Sequence, residues 1–198
     1  MKKAKFIIIF LVVLAFILVP FPAADLYIRV HFTETGGDSC SLYYTTTSNP
    51  VYTGDQCITS AIDYDLNQVT FCLDASLEKE LTGLRLDFPG SGNLIGIDNI
   101  TVSSAGIIQK QFNPCKFFAD ENIIQKNDIP EISLVTARNR TYLLPGTTDP
   151  YVVLSPALTA EITGGYSHLR LTRLSICLFV VACVFFYRKN LFSGTAEQ

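Results

Sequence analysis

The sequence predicts a mainly β protein: an antiparallel β-sandwich carried between two apolar helices. Three observations lead there. Between residues 25 and 165, short runs alternate apolar and polar residues, the period of a strand with one face buried. Gly, Pro, Asn and Asp break those runs at close intervals, which suits short strands and turns better than long helices. Uncharged apolar stretches lie near both ends of the chain, apart in composition from the strands.

The first of these stretches is residues 6–24, FIIIFLVVLAFILVPFPAA, 19 residues without a charge behind Lys2, Lys3 and Lys5. As a helix it covers about 28 Å, close to the ~30 Å of bilayer hydrocarbon. The basic flank lies on one side only, which places the N-terminus in the cytoplasm. A cleaved signal peptide is the alternative, but the run exceeds the usual apolar region of about 7–15 residues. The candidate cleavage sites are also poor, with Phe21 and Pro22 at the −3 positions of Ala23 and Ala24. Residues 1–24 are therefore expected to anchor the chain, with the next segment outside the cytoplasm. Near the other end, LSICLFVVACVFFY (174–187) is short for a span, at about 21 Å. Arg170, Arg173, Arg188 and Lys189 flank it. Their long side chains can snorkel, so a transmembrane helix is expected within 166–192. Residues 193–198 then form a short cytoplasmic tail, and the protein sits in the cell membrane with both termini inside.

The middle segment, 25–165, is expected to be the extracytoplasmic sandwich. In LYIRVHFT, Leu26, Ile28, Val30 and Phe32 alternate with Tyr27, Arg29, His31 and Thr33. SLYYTTT (41–47) is rich in strand-favouring Tyr and Thr. QCITSAIDY (56–64) and QVTFCLD (68–74) flank a break at DLN. DASLEKELTG (74–83) is expected to hold a single helical turn. LTGLRLDF sets Leu84, Leu86 and Phe88 on one face and Arg85 and Asp87 on the other, and LIGIDNITV continues with Ile95, Ile97 and Val102. FFADENIIQKN (117–127) is ambiguous. EISLVTA (131–137) and RTYLL (140–144) form a further pair, and YVVLS (151–155) another strand.

Gly90, Gly92 and Gly96 invite comparison with a phosphate-binding loop. A dinucleotide fingerprint needs G-x-G-x-x-G opening a helix, and a P-loop needs Lys-Ser/Thr after its last glycine. Here the third glycine is one place late, Ile97-Asp98 comes after it, and the next residues alternate as a strand. Pro89-Gly90-Ser91-Gly92-Asn93 is expected to be a loop between two strands.

The same stretch, an L-R-L-D strand, a Pro/Gly/Asn loop and an I-x-I strand, resembles the jelly-roll accessory domain that many polytopic bacterial envelope glycosyltransferases and polysaccharide-assembly proteins carry outside the membrane. VHFTETGGDSCSLYYTT resembles its opening strands, FNPCKFF its aromatic-x-Pro segment and GTTDPYVVL (146–154) its closing strand. The resemblance covers about residues 25–160 and implies a jelly-roll β-sandwich. The relatives continue into many more membrane helices, where any transferase chemistry would lie, whereas this sequence has one apolar run after the domain.

Little catalytic chemistry is visible. His31 and His168 are the two histidines, and neither has an evident partner in a triad. No H-E-x-x-H or C-x-x-C spacing occurs, so no zinc site is expected. The pairs Asp63/Asp65 and Asp120/Glu121 fit a solvated acidic surface. A structural calcium is the one cofactor considered, with Glu34 and Asp38 in the Gly-rich TETGGDS loop as its candidate ligands. Residues 25–165 hold 17 Asp/Glu against eight Lys/Arg, the wrong sign for nucleic acid.

A glycan needs aromatic faces on which to stack. Tyr43, Tyr44 and Tyr52 are candidates, although adjacent strand residues point to opposite faces, so Tyr43 and Tyr44 cannot share one site. Cys177 and Cys183 fall in the second apolar run. Of Cys40, Cys57, Cys72 and Cys115, a hairpin centred on residues 48–49 would set Cys40 opposite Cys57, which makes that pair the disulfide candidate. Asn99-Ile-Thr101 and Asn139-Arg-Thr141 match the glycosylation sequon.

The expectation is a non-catalytic, membrane-anchored sandwich that holds an envelope glycan or docks on a polytopic envelope-assembly protein. One alternative is the accessory part of a glycosyltransferase. The other is an adhesin-like structural surface protein.

Overall fold

The computed structural model describes residues 24–105, 107–164, 166 and 178. The expected anchor (1–24) and C-terminal span (166–192), except for Ala24, Tyr166 and Leu178, lie outside the described residues, as does the tail 193–198. Among the described residues no helix is long and apolar enough to cross a membrane. Ala23–Tyr166 form one compact unit.

Within it the described strands make two antiparallel sheets. They are β1 (Leu26–Glu34), β2 (Ser39–Thr46), β3 (Cys57–Ala61), β4 (Gln68–Leu73), β5 (Leu81–Asp87) and β6 (Ile95–Ser104). Next come β7 (Ile107–Phe112), β8 (Ile123–Asn127), β9 (Glu131–Val135), β10 (Arg140–Leu144) and β11 (Tyr151–Leu154). One sheet has the order β4-β1-β6-β10-β9, with β7 also on β6, and the other has β3-β2-β5-β11-β8. Position by position, each strand of the first order is the sequence neighbour of its counterpart in the second. Apart from β7, the described strands are thus five two-strand ribbons, each passing from one sheet to the other and pairing along both strands with the ribbon beside it.

The alternation legible in the sequence is what fills the space between the sheets. Leu26, Ile28, Val30 and Phe32 are buried, as are Leu84, Leu86 and Phe88. In β6 the buried set changes phase, from Ile95 and Ile97 to Ile100 and Val102. A bulge makes this work: Phe32 pairs with Ile97 and His31 with Asn99, leaving Asp98 as the extra residue. The same strand pairs with β10 through its first half and with β7 through its second.

Two short helices complete the core. In α1 (Pro114–Phe117), Asn113 accepts from the Cys115 amide and Pro114 occupies the first turn, where its missing N–H costs nothing. Phe117 stacks edge-on against Phe118 and Phe112, at 5.1 and 5.5 Å between centroids. In α2 (Pro156–Thr163), Ser155 caps the Leu158 amide, and Leu158 and Ile162 are buried. DASLEKELTG supplies the expected turn, a 3-10 turn at Ala75–Lys79 with Asp74 accepting from the Ser76 amide. The ambiguous FFADENIIQKN divides into a 3-10 turn at Asp120–Asn122 and the strand β8.

The glycine loop joins β5 to β6, as expected of a strand connection. It packs on neighbouring loops: the Ser91 hydroxyl donates to the Gly36 carbonyl, and Gly90 lies against the Thr147 backbone. Gly36 has φ +68°, and a Cβ there would stand 2.7 Å from Ile95 Cγ1. Gly36 is thus required by a left-handed turn and a close approach to the core, and Gly37 by its close approach to Pro89. Gly36→Ala is expected to cost about 1–3 kcal/mol, read as a lowered denaturant midpoint at unchanged slope.

The two ends of this unit meet at one pole. Ala24 accepts a hydrogen bond from Ser104 Oγ, Leu26 pairs with both Leu73 and Ser104, and the buried Tyr166 hydroxyl lies 3.2 Å from the Leu73 carbonyl. The opposite pole gathers the loops around Gly36, Tyr64, Gly90 and Thr147.

Candidate functional site

The side chains that point out of the β3-β2-β5-β11-β8 sheet are set by strand register, and they fall into two transverse rows. Cys57 faces Tyr43, Tyr43 faces Arg85, Arg85 faces Val153 and Val153 faces Gln125. Beside this row, Thr59 faces Ser41, Ser41 faces Asp87, Asp87 faces Tyr151 and Tyr151 faces Asn127. At the usual strand spacing each row is about 19 Å long.

Arg85 is the centre of the face. Its Nε and Nη2 donate to the two oxygens of Asp87 at 2.7 and 2.6 Å, a bidentate geometry that fixes the guanidinium plane. Nη2 also reaches Asp149 Oδ1 at 3.4 Å. The guanidinium carbon stands 3.7 Å from the Tyr151 ring centroid and 4.9 Å from that of Tyr43. Cation–π attraction to two rings adds to the ion pair. Burial disfavours the charge on Arg85, but Asp87 and Asp149 outweigh it and raise its pKa. Burial pushes the Asp87 carboxyl above its ordinary value against the pull of Arg85.

The surrounding groups are polar and already ordered. Ser41 and Thr59 hydroxyls are 2.8 Å apart. Gln125 Nε2 donates to the Tyr151 hydroxyl at 2.9 Å, and Asn127 Nδ2 donates to the Asp149 carbonyl at 2.7 Å. Asp128 accepts from the Thr148 amide, which holds the Asp149 loop against the sheet and lowers the Asp128 pKa. The Cys57 thiol beside the Tyr43 hydroxyl raises that phenol's pKa, and burial adds to the effect.

Of the tyrosine candidates, Tyr43 lies on this face. Tyr52 lies over Gly83, where an added Cβ would come within 2.8 Å of its hydroxyl, and burial raises its pKa. Tyr44 points the other way and packs against the core. Sequence reasoning missed Tyr151, Asp149 and the pairing of Arg85 with Asp87. The alternation in LRLD placed Arg85 and Asp87 on one face, but Tyr151 joins them only through the pairing of β11 with β5.

The structure does not bring the disulfide candidates together. Strands β2 and β3 do pair, but Cys40 faces Ser60, and Cys57 faces Tyr43. The connection of residues 47–56 includes a 3-10 turn at Gly54–Gln56, which moves the hairpin's centre away from residues 48–49 and changes the register. Cys40 is buried inward while Cys57 is on the outer face, and Cys40, Cys57, Cys72 and Cys115 are free thiols.

Burial, with Asp87 adding, pushes the Cys40 thiol up to about 12. The stabilisation linked to this proton is present in full below the unfolded thiol's pKa of about 8.5. It is lost as pH rises toward 12. Folded protein treated with a thiol reagent at mildly alkaline pH is expected to react at the exposed Cys72 and not at Cys40. Cys40→Ala is expected to flatten the alkaline fall in stability.

The calcium candidates lie near the far pole. Asp38 Oδ1 accepts from the Tyr64 hydroxyl at 2.6 Å, and Glu34 ends β1. Among the described residues no three His, Cys, Asp or Glu side chains come together to hold a metal ion. His31 sits on the outer face of the other sheet, between Gln68 and Asn99. His168 lies outside the described residues. Asn139 of the second sequon sits in a left-handed turn, with Oδ1 accepting from Asn113 Nδ2. Asn99 Oδ1 accepts from Gln111 Nε2.

Comparison with protein-family models, with curated proteins and with solved structures finds no match.

Proposed function

We propose that this protein is a non-catalytic, membrane-tethered glycan-binding sandwich displayed outside the cytoplasm, with the outer face of the β3-β2-β5-β11-β8 sheet as its binding surface. The observation that carries this reading is the Arg85 guanidinium held between the rings of Tyr43 and Tyr151 and clamped by Asp87. Sugars are bound by aromatic faces that take their C–H surfaces and by planar polar groups that take their hydroxyls. This face supplies both, on strands, where side-chain positions are held most rigidly.

Two further features support the reading. Both ends of the compact unit leave from one pole, while Asp87 and Asp149 lie toward the other. The ribbon-by-ribbon passage between sheets also supports the kinship with jelly rolls, which build their two sheets in this way. The ribbon order is different: a jelly roll sets its first ribbon beside its last, whereas here the first lies between the second and third.

The test is a glycan panel applied to the full chain in lipid nanodiscs free of sugar-headed detergent. Binding of an oligosaccharide that is lost in Tyr151→Ala supports the reading. No binding across neutral, acidic and amino-sugar glycans would refute it and leave docking on an envelope-assembly protein as the function to examine.

A further inference from the structure

The charge and donor pattern of this same face says which glycans fit, an inference that rests on the glycan reading above. Arg85 uses Nε and Nη2 on Asp87 and Asp149, and its Nη1 has no hydrogen-bond partner among the described residues. The neighbouring Asp149 side chain is 59% exposed. A donor on the central guanidinium and the carboxylate acceptor that its Nη2 meets thus belong to neighbouring groups of the face. A sugar hydroxyl satisfies both, accepting from Nη1 while donating to Asp149. A ligand carboxylate, sulfate or phosphate can accept from Nη1 but has no proton for Asp149, and it meets two carboxylates against one guanidinium. The whole segment 25–165 repeats this bias, with 17 acidic side chains against eight basic ones.

We propose that the face binds neutral, hydroxyl-rich oligosaccharides and discriminates against acidic ones, with Arg85 Nη1 and Asp149 together holding one ligand hydroxyl. The net negative face is a repulsive element against the wrong ligand, which sharpens specificity without new contacts to the right one.

The probes are maltotriose and chitotriose as neutral ligands and trigalacturonate as the acidic one, titrated on the full chain in nanodiscs at low and high salt. The expected result is that trigalacturonate binds at least about ten-fold more weakly than the better neutral probe. Neutral affinities should not change with salt, because no net charge is engaged. Asp149→Asn should weaken the neutral probe several-fold and narrow the discrimination, and Asp149→Lys should bring trigalacturonate to parity or beyond. Trigalacturonate binding the unaltered chain as tightly as the neutral probes overturns the charge selectivity while leaving the glycan reading intact. Unchanged discrimination in both Asp149 variants overturns the role of Asp149. Binding of none of the three probes overturns the selectivity proposal. The glycan reading falls with it only if the wider panel is also silent.

Discussion

Arg85→Ala is expected to abolish glycan binding, by at least about ten-fold in Kd, while the protein still folds. The guanidinium keeps Tyr43 and Tyr151 at its two sides and supplies a free donor at the centre of the face. Its removal lets both rings relax and leaves Asp87 without its bidentate partner. The Asp87 side chain is only 14% exposed, so its orphaned charge also lowers stability. A fully buried pair broken in this way costs about 3–5 kcal/mol. This one lies on a sheet surface, where solvent screens it, and about 1–2 kcal/mol is expected.

Arg85→Lys separates the two effects. It keeps the charge near Asp87 but loses the planar fork and the stacking. Stability should therefore return most of the way while binding stays weak. Calorimetric titration and denaturant unfolding of the same samples read both quantities. Full binding by either variant would remove Arg85 from the site.

Phe71→Ala is expected to be the most damaging single change in the core, costing about 3–5 kcal/mol. Phe71 is 0% exposed and projects from β4 into the space between the sheets. It already borders a small apolar void with Val30, Leu42, Leu84, Phe117 and Ile162. These neighbours come from β1, β2, β5 and the two helices, so no one element can move in to fill the hole. Urea unfolding of the variant measures the loss. A cost below about 1 kcal/mol, the range of a surface substitution, would mean the two sheets are not packed through this residue.

Much of this fold was legible because strand burial writes itself into alternate residues. Leu26 to Phe32 and Leu84 to Phe88 are examples, and the pairing of EISLV with RTYLL appears as β9 against β10 in the register Arg140–Val135. Where two apolar residues adjoin, the period is lost. In β7 Ile107 and Ile108 stand together, and that strand was not anticipated. Helix α2 was also missed, although Ser155-Pro156 is a cap with a first-turn proline behind it. The cue is local and weak in an eight-residue helix.

The candidate face was half legible. Tyr43, Tyr44 and Tyr52 could be named from their closeness in the sequence, and strand geometry separates Tyr43 from Tyr44, but only the sheet shows that Tyr44 is the one turned to the core. The partnership of Tyr43, Arg85 and Tyr151 depends on which strands neighbour which, and no local pattern encodes that. The Cys40–Cys57 pairing failed for a related reason. Its register was set by a turn whose length the sequence does not declare, and a register change of one residue already turns a side chain to the opposite face.

The most direct measurement is to cross-link a photoreactive neutral oligosaccharide to the full chain in nanodiscs and map the adducts by peptide mass spectrometry. Adducts confined to peptides carrying Tyr43, Tyr52, Arg85 and the 149–151 segment, and absent from Arg85→Ala, are the predicted result. Adducts on the outer face of the other sheet, around Arg29 and His31, or labelling that persists undiminished in Arg85→Ala, would contradict the account.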